Sequence, residues 1–192
     1  MKSAFQIAME GNTPDGVKHI ERELTLYVLL HDLQDIKELA TDEETHEQWN
    51  VKTDDPNVRM RIRLTDGVEY TATTKEKTRN QFETIETEQL VSRDFFEALK
   101  KMSKDGYKKT RFNIPVEGKK TIWEVDVFKT ASGENSLWVK VDYEFERGDD
   151  KLPELPFEYK ELIAPDLQEG YEDEIDRLWN REWMKLDGYE ET

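Results

Sequence analysis

Seven segments of the sequence place charged residues two apart, mostly of a single sign. Arg59, Arg61 and Arg63 alternate with Val58, Met60, Ile62 and Leu64, and Glu21 and Glu23 alternate with Ile20 and Leu24. Glu124 and Asp126 alternate with Trp123, Val125 and Val127, while Lys140, Asp142 and Glu144 alternate with Val139, Val141, Tyr143 and Phe145. Lys75 with Lys77, Glu86 with Glu88, and Lys109 with Arg111 repeat the spacing. A period of two puts successive side chains on opposite faces of a β-strand. Each segment therefore predicts a strand with a charged face and an apolar back. Like charges on one face repel, and a face that meets only water has no reason to sort acids from bases strand by strand. The sorting predicts strands of opposite sign around a shared polar interior. Guanidinium and ammonium groups grip phosphate-type oxygens, and hard carboxylates hold Mg²⁺ or Mn²⁺. The chemistry implied is the capture of a polyanion with a divalent cation.

The intervening residues give the elements that must hold these faces. A strand is predicted over 19–29. A short helix follows, with Asp32 as its cap and Leu33, Ile36, Leu39 and Ala40 at helical spacing. Asp42 to Asp55 reads as a solvated acidic loop, with a short strand around 48–52. The hairpin 58–64 and 68–76 turns at Asp66-Gly67, a dipeptide that supplies positive φ. A strand over 82–91 leads to a helix capped by Ser92, with Phe95, Phe96, Leu99 and Met102 along one stripe and Gly106 as its stop. Turns at Glu117-Gly118 and Ser132-Gly133 separate strands near 107–116, 120–129 and 136–146. Residues 147–157 break the pattern with Pro153 and Pro156, and a C-terminal helix is predicted over about 170–187 from Ile175, Leu178, Trp179, Trp183 and Leu186. About eight strands with apolar backs predict a single α+β domain over 1–192. Its form is an eight-stranded antiparallel β-barrel, a tunnel with a polar charged lumen, covered outside by about three helices.

Composition removes several classes of function. The net charge is −16 over 192 residues, which disfavours nucleic acid and anionic membranes as partners. An anionic ligand must be held by a local cluster of bases. With no cysteine there is neither a disulfide nor a thiolate metal site. No apolar run approaches 18 residues, so the expectation is a soluble, cytoplasmic protein. His19, His31 and His46 lack zinc-ligand spacing, and Gly118-Lys119-Lys120-Thr121 fails as a phosphate loop because Asn113 stands where its first glycine is required.

Over about residues 18–165 the chain resembles the CYTH domain, or triphosphate tunnel metalloenzyme family. Glu21-Arg22-Glu23-Leu24-Thr25 is similar to the family's opening E-x-E-x-K, with Thr25 in place of the lysine. Met60-Arg61-Ile62-Arg63 resembles its L-R-I-R strand, and Thr73-Thr74-Lys75 its T-I-K. Lys109-Thr110-Arg111 resembles its K-x-R, residues 123–128 its E-V-D-V-F strand, and residues 141–145 its late E-x-E. The resemblance implies Mg²⁺- or Mn²⁺-dependent hydrolysis of a triphosphate: inorganic tripolyphosphate, a nucleoside triphosphate or thiamine triphosphate. Cyclisation of ATP to cyclic AMP and non-catalytic nucleotide or polyphosphate binding are the alternatives. It places the metal on Glu21, Glu23, Asp142 and Glu144. The phosphates fall to Arg61, Arg63, Lys75, Lys109 and Arg111, with Arg59, Lys77 and Lys140 on the same basic faces. Glu86, Glu88, Glu124 and Asp126 are left to bind a second metal or orient the attacking water.

Overall fold

The computed structural model describes residues 17–79, 83–146 and 151–187. Strands β1 (Val17–Leu30), β2 (Asp42–Val51), β3 (Val58–Thr65), β4 (Glu69–Lys77), β5 (Glu83–Leu90), β6 (Ser103–Pro115), β7 (Ile122–Lys129) and β8 (Asn135–Glu144) pair in the order β6-β2-β3-β4-β5-β1-β8-β7. β7 pairs back to β6, so the ring closes, and every pairing in it is antiparallel. This is the expected eight-stranded barrel. Closure removes the free edges that such charged strands would otherwise present.

The two longest strands, β1 and β6, change partners along their length. β1 pairs with β5 over its first half, and β9 (Tyr159–Ile163) pairs with its last residues, Tyr27 to Leu30. β6 pairs with β7 from Lys109 onward, and β10 (Lys185–Asp187) pairs with Asp105 to Tyr107. Neither β9 nor β10 is anticipated above, because each is too short to show a period.

The apolar backs face outward and are covered along most of the ring, Ile20 at 66% exposure being an exception. Leu24, Leu26, Val28 and Leu30 of β1 pack with Val125, Val127, Val139 and Val141 beneath Ile36 of α1 (Gln34–Leu39) and Phe157. The N-cap position is Leu33 rather than the expected Asp32, which lies one residue earlier and accepts from the Gln34 backbone N–H at 2.6 Å. Trp49, Ile62 and Ala72 pack under Phe96 of α2 (Arg93–Lys100), whose cap Ser92 accepts from the Phe95 N–H at 3.2 Å. Phe95 and Met102 are exposed, so the buried stripe of this helix is narrower than expected. Gly106 is not its stop. It sits inside β6 with the Trp49 ring against it, and a Cβ there would lie 2.6 Å from Trp49 Cδ1. Asp66 and Gly67 turn the β3–β4 hairpin with φ of 50° and 72°.

Two further expectations are corrected. Residues 42–51 form one strand, β2, so the short strand expected around 48–52 begins six residues earlier and replaces the first part of the loop. The long C-terminal helix is α3 (Glu172–Arg177) followed by a π-helical turn, Leu178–Glu182. Trp179 from that turn and Trp183 just after it pack with Tyr27, Tyr107 and Phe128. No helix among the described residues is long and apolar enough to cross a membrane.

Candidate functional site in the barrel lumen

The charged faces point into a cavity of about 830 Å³. Of the residues singled out from sequence, Glu21, Glu23, Arg59, Arg61, Arg63, Lys75, Glu86, Glu88, Lys109, Arg111, Glu124, Lys140, Asp142 and Glu144 line it. Lys77 does not; it lies exposed at the end of β4, past the lumen. Asp126 does not either. It is fully buried behind Lys109 and Arg111.

Register explains the grouping. Lys75 lies opposite Glu86 across β4 and β5, Arg111 opposite Asp126 across β6 and β7, and Thr25 opposite Asp142 across β1 and β8. On the β1–β4–β5 wall three carboxylates surround one ammonium. Lys75 Nζ donates to Glu21 Oε2 at 2.5 Å and Glu23 Oε2 at 3.2 Å, and pairs with Glu86 Oε2 at 3.1 Å. Burial works against the Lys75 charge, yet Glu23, Glu21 and Glu86 more than offset it and raise the group. Burial likewise opposes the Glu23 charge, but Lys140, Lys75 and Arg61 hold its carboxyl down at about 2. Glu21 shifts up, chiefly by desolvation.

On the β6–β7–β8 wall the cluster around Asp126 is inverted, with two cations sharing one carboxylate. Arg111 grips Asp126 through Nε and Nη2 at 2.7 and 2.9 Å, and Lys109 pairs with the same carboxylate. Asp126 is thereby held well below the usual carboxylate range despite its burial. Lys109 is pushed down to about 7, first by burial and then by Arg111, Lys140 and Arg63, against the pull of Asp126. Arg111 also pairs with Glu124, and Lys140 with Asp142.

Between these walls β3 presents Arg61, 3.6 Å from Glu86, and Arg63, 3.5 Å from Glu88. The Nε atoms of both arginines are buried and meet no acceptor among the described residues. Burial together with Arg61 and Arg111 lowers Arg63 to about 10. Thr25 sits where the resembled motif has lysine. Its hydroxyl donates to Asp142 Oδ1 at 2.7 Å, and Lys140 holds the other oxygen of that carboxylate.

Sequence reasoning missed part of the site. Gln48, Asn50, Thr73, Asp166 and four aromatic residues, Tyr27, Tyr107, Phe128 and Trp179, also line the cavity. Trp179 Nε1 donates to the Tyr27 hydroxyl at 3.0 Å and the Tyr107 hydroxyl donates to the Trp179 carbonyl at 3.1 Å, which ties the C-terminal segment to the barrel. His46, which lacks zinc-ligand spacing, is fully buried on β2 with Nε2 3.0 Å from Glu44. Burial, with Arg63, Lys109 and Arg111, drops it to about 2, so it stays neutral beside the basic wall. The alternation Glu44-His46-Gln48-Asn50 against Glu47-Trp49-Val51 could have revealed β2, but the surrounding acids masked it.

The closed ring with inward charges decides the architecture. The chain has the tunnel fold that its motifs resemble. Among solved structures it is similar to the inorganic triphosphatase NE1496 (21% identity, 76% of this chain and 87% of that one, TM-score 0.45). It is also similar to PH1819 from Pyrococcus horikoshii OT3 (19%, 67% and 81%, 0.46) and to the bh2851 protein of Bacillus halodurans (18%, 67% and 81%, 0.47). No family model and no curated protein matches the chain. The assignment of the fold rests on the strand ring itself rather than on these likenesses.

For a divalent cation the donor chemistry fits: the lumen offers hard carboxylate oxygens and no thiolate. Glu23 and Glu144 stand directly opposite across β1 and β8, a like-charge pair that gains from a cation between them. Among the described residues, however, no three acidic or imidazole side chains stand ready as a metal-binding group. The point where Glu21, Glu23 and Glu86 converge is taken by Lys75.

Proposed function

We propose that the tunnel binds a triphosphate with a divalent cation and hydrolyses its terminal phosphoanhydride. The observation that carries this reading is the pair of buried guanidinium Nε donors on Arg61 and Arg63 that meet no acceptor among the described residues. A buried donor left unmet costs about 1–3 kcal/mol, and phosphate oxygens are the acceptors that a guanidinium matches best. A bound Mg²⁺ or Mn²⁺ would supply Lewis-acid polarisation of the phosphoryl oxygens.

The chain's own residues do the rest. Glu21, Glu23, Asp142 and Glu144 hold the cation. Arg61 and Arg63 grip phosphate oxygens from β3, while Lys109 and Arg111 do so from β6, with Lys75, Lys140 and Arg59 adding charge around the lumen. Glu86, Glu88 and Glu124 orient the water that attacks the terminal phosphorus. As the new P–O bond forms, the water's proton passes to one of these carboxylates, and the bridging P–O bond breaks with its electron pair leaving on the diphosphate portion. Fixed cations stabilise that charge without reorganising, which is where they are worth most. Asp126 touches neither cavity nor ligand. It positions Lys109 and Arg111, so its part in the reaction is indirect.

Thr25 is the feature that favours a second reading, a non-catalytic binder, because a hydroxyl cannot supply an ammonium's charge. Lys140, held against the same Asp142, brings an ammonium to that place. The test is product analysis with ATP, tripolyphosphate and thiamine triphosphate in Mg²⁺ or Mn²⁺. Orthophosphate release is expected. Cyclic AMP with pyrophosphate would replace the hydrolase by a cyclase, and tight binding without product would establish the binder.

A further inference from the structure

We propose that Lys75 is an internal substitute for the divalent cation: its ammonium occupies the convergence of Glu21, Glu23 and Glu86, and must leave Glu21 and Glu23 before those two can hold a metal. The inference deepens the triphosphate reading and rests on it for the identity of the metal wall. Its ground is geometric. One Nζ lies 2.5, 3.2 and 3.1 Å from three carboxylate oxygens carried by two strands, in a side chain only 13% exposed. Nothing else on this wall neutralises Glu21 and Glu23 at contact distance among the described ion pairs, whereas Glu86 keeps Arg61 at 3.6 Å when Lys75 leaves.

Two consequences follow from charge. Seven basic and eight acidic side chains line the lumen, so it is close to neutral without ligand and a triphosphate alone would meet little net attraction. Once the carboxylates are taken by a divalent cation, the ammonium of Lys75 is released into a lumen it already lines, where a phosphate oxygen can accept from it. Metal and triphosphate thus bind as partners: each takes one half of an ion pair that otherwise satisfies itself. The same exchange is built around Asp142, which Lys140 holds.

The experiment titrates Mn²⁺ alone into the full chain, by calorimetry and by loss of the free-ion paramagnetic resonance signal, with no triphosphate present. Lys75→Met keeps the stem and removes the charge, and it should bind Mn²⁺ at least tenfold more tightly than the wild type. Adding Glu23→Gln to Lys75→Met should abolish the gain. Equal or weaker binding by Lys75→Met would overturn the proposal. Reductive methylation of the wild type, read by mass spectrometry, serves if that variant fails to fold. Lys75 should become more reactive when Mg²⁺ is added, and unchanged reactivity would overturn it. The outcomes separate this inference from the function above. Tighter Mn²⁺ binding in a chain that releases no phosphate defeats the hydrolase reading alone, whereas phosphate release with an unchanged Mn²⁺ affinity defeats the inference alone.

Discussion

Two ion-pair clusters on facing walls of the lumen are built as inverses of one another. Around Lys75 a single ammonium serves three carboxylates, and around Asp126 a single carboxylate serves Lys109 and Arg111. Both are partly or wholly withdrawn from water, so neither is a surface ion pair of the kind worth about 0–1 kcal/mol. The difference lies in what each has to spare. The first cluster has surplus anionic oxygens and suits a cation, while in the second the cations are matched by acids, Arg111 pairing with Glu124 as well as Asp126. Asp126 is also the more deeply set, at 0% exposure, which makes it a keystone of the fold as well as of the site.

Asp126→Asn should break this contrast most severely. It leaves Lys109 and Arg111 facing each other across a neutral amide, and removal of one partner of a buried pair costs about 3–5 kcal/mol. Denaturant unfolding of the variant against the wild type measures it. A loss below about 1 kcal/mol would mean the second wall does not depend on its buried carboxylate.

On the opposite wall Glu23→Gln should abolish metal-dependent phosphate release while circular dichroism and the unfolding midpoint stay near wild type. Full activity in the folded variant would remove Glu23 from the metal set.

The walls should also differ in pH response. Glu23, held at about 2, stays ionised throughout the neutral range, whereas Lys109 titrates near 7. A polyanion raises the Lys109 value, so binding takes up a proton above pH 7. The contribution of Lys109 to affinity is full below pH 7 and falls by up to about tenfold per unit as pH rises above it. Calorimetry of tripolyphosphate binding in buffers of different ionisation enthalpy detects the proton, and Lys109→Arg should remove it.

The smallest expected effect is at Thr25. With Lys140 already at Asp142, Thr25→Lys crowds two ammonium groups at one carboxylate and should weaken tripolyphosphate binding by about 1 kcal/mol without raising kcat. A rise in kcat would show instead that Lys140 does not fill the place.

How much of this was legible in the sequence followed from period. Strands such as β3 and β7, with pure apolar backs, declare both their faces and their register, and so most of the site residues could be named in advance. Only the second half of β2 was legible, because Asp42, Glu43, Glu44 and Glu47 make both faces of its first half look polar, which concealed His46. The aromatic residues at the lumen were out of reach for a different reason. Tyr27 and Phe128 continue charged faces as apolar members, and only the return of the C-terminal segment brings Trp179 to meet them. Pairing of Lys75 with Glu21 and Glu23, more than fifty residues away, needs the closed ring and leaves no local trace.

The central claim is that the buried arginine donors of β3 are there for phosphate. It is tested most directly by titrating tripolyphosphate with Mg²⁺ into the wild type and into Arg61→Ala and Arg63→Ala. One saturable site is expected, weakened by about 2–5 kcal/mol in either variant, with 0.3 M salt reproducing only part of the loss. Equal, weak and wholly salt-sensitive binding by all three proteins would contradict the account.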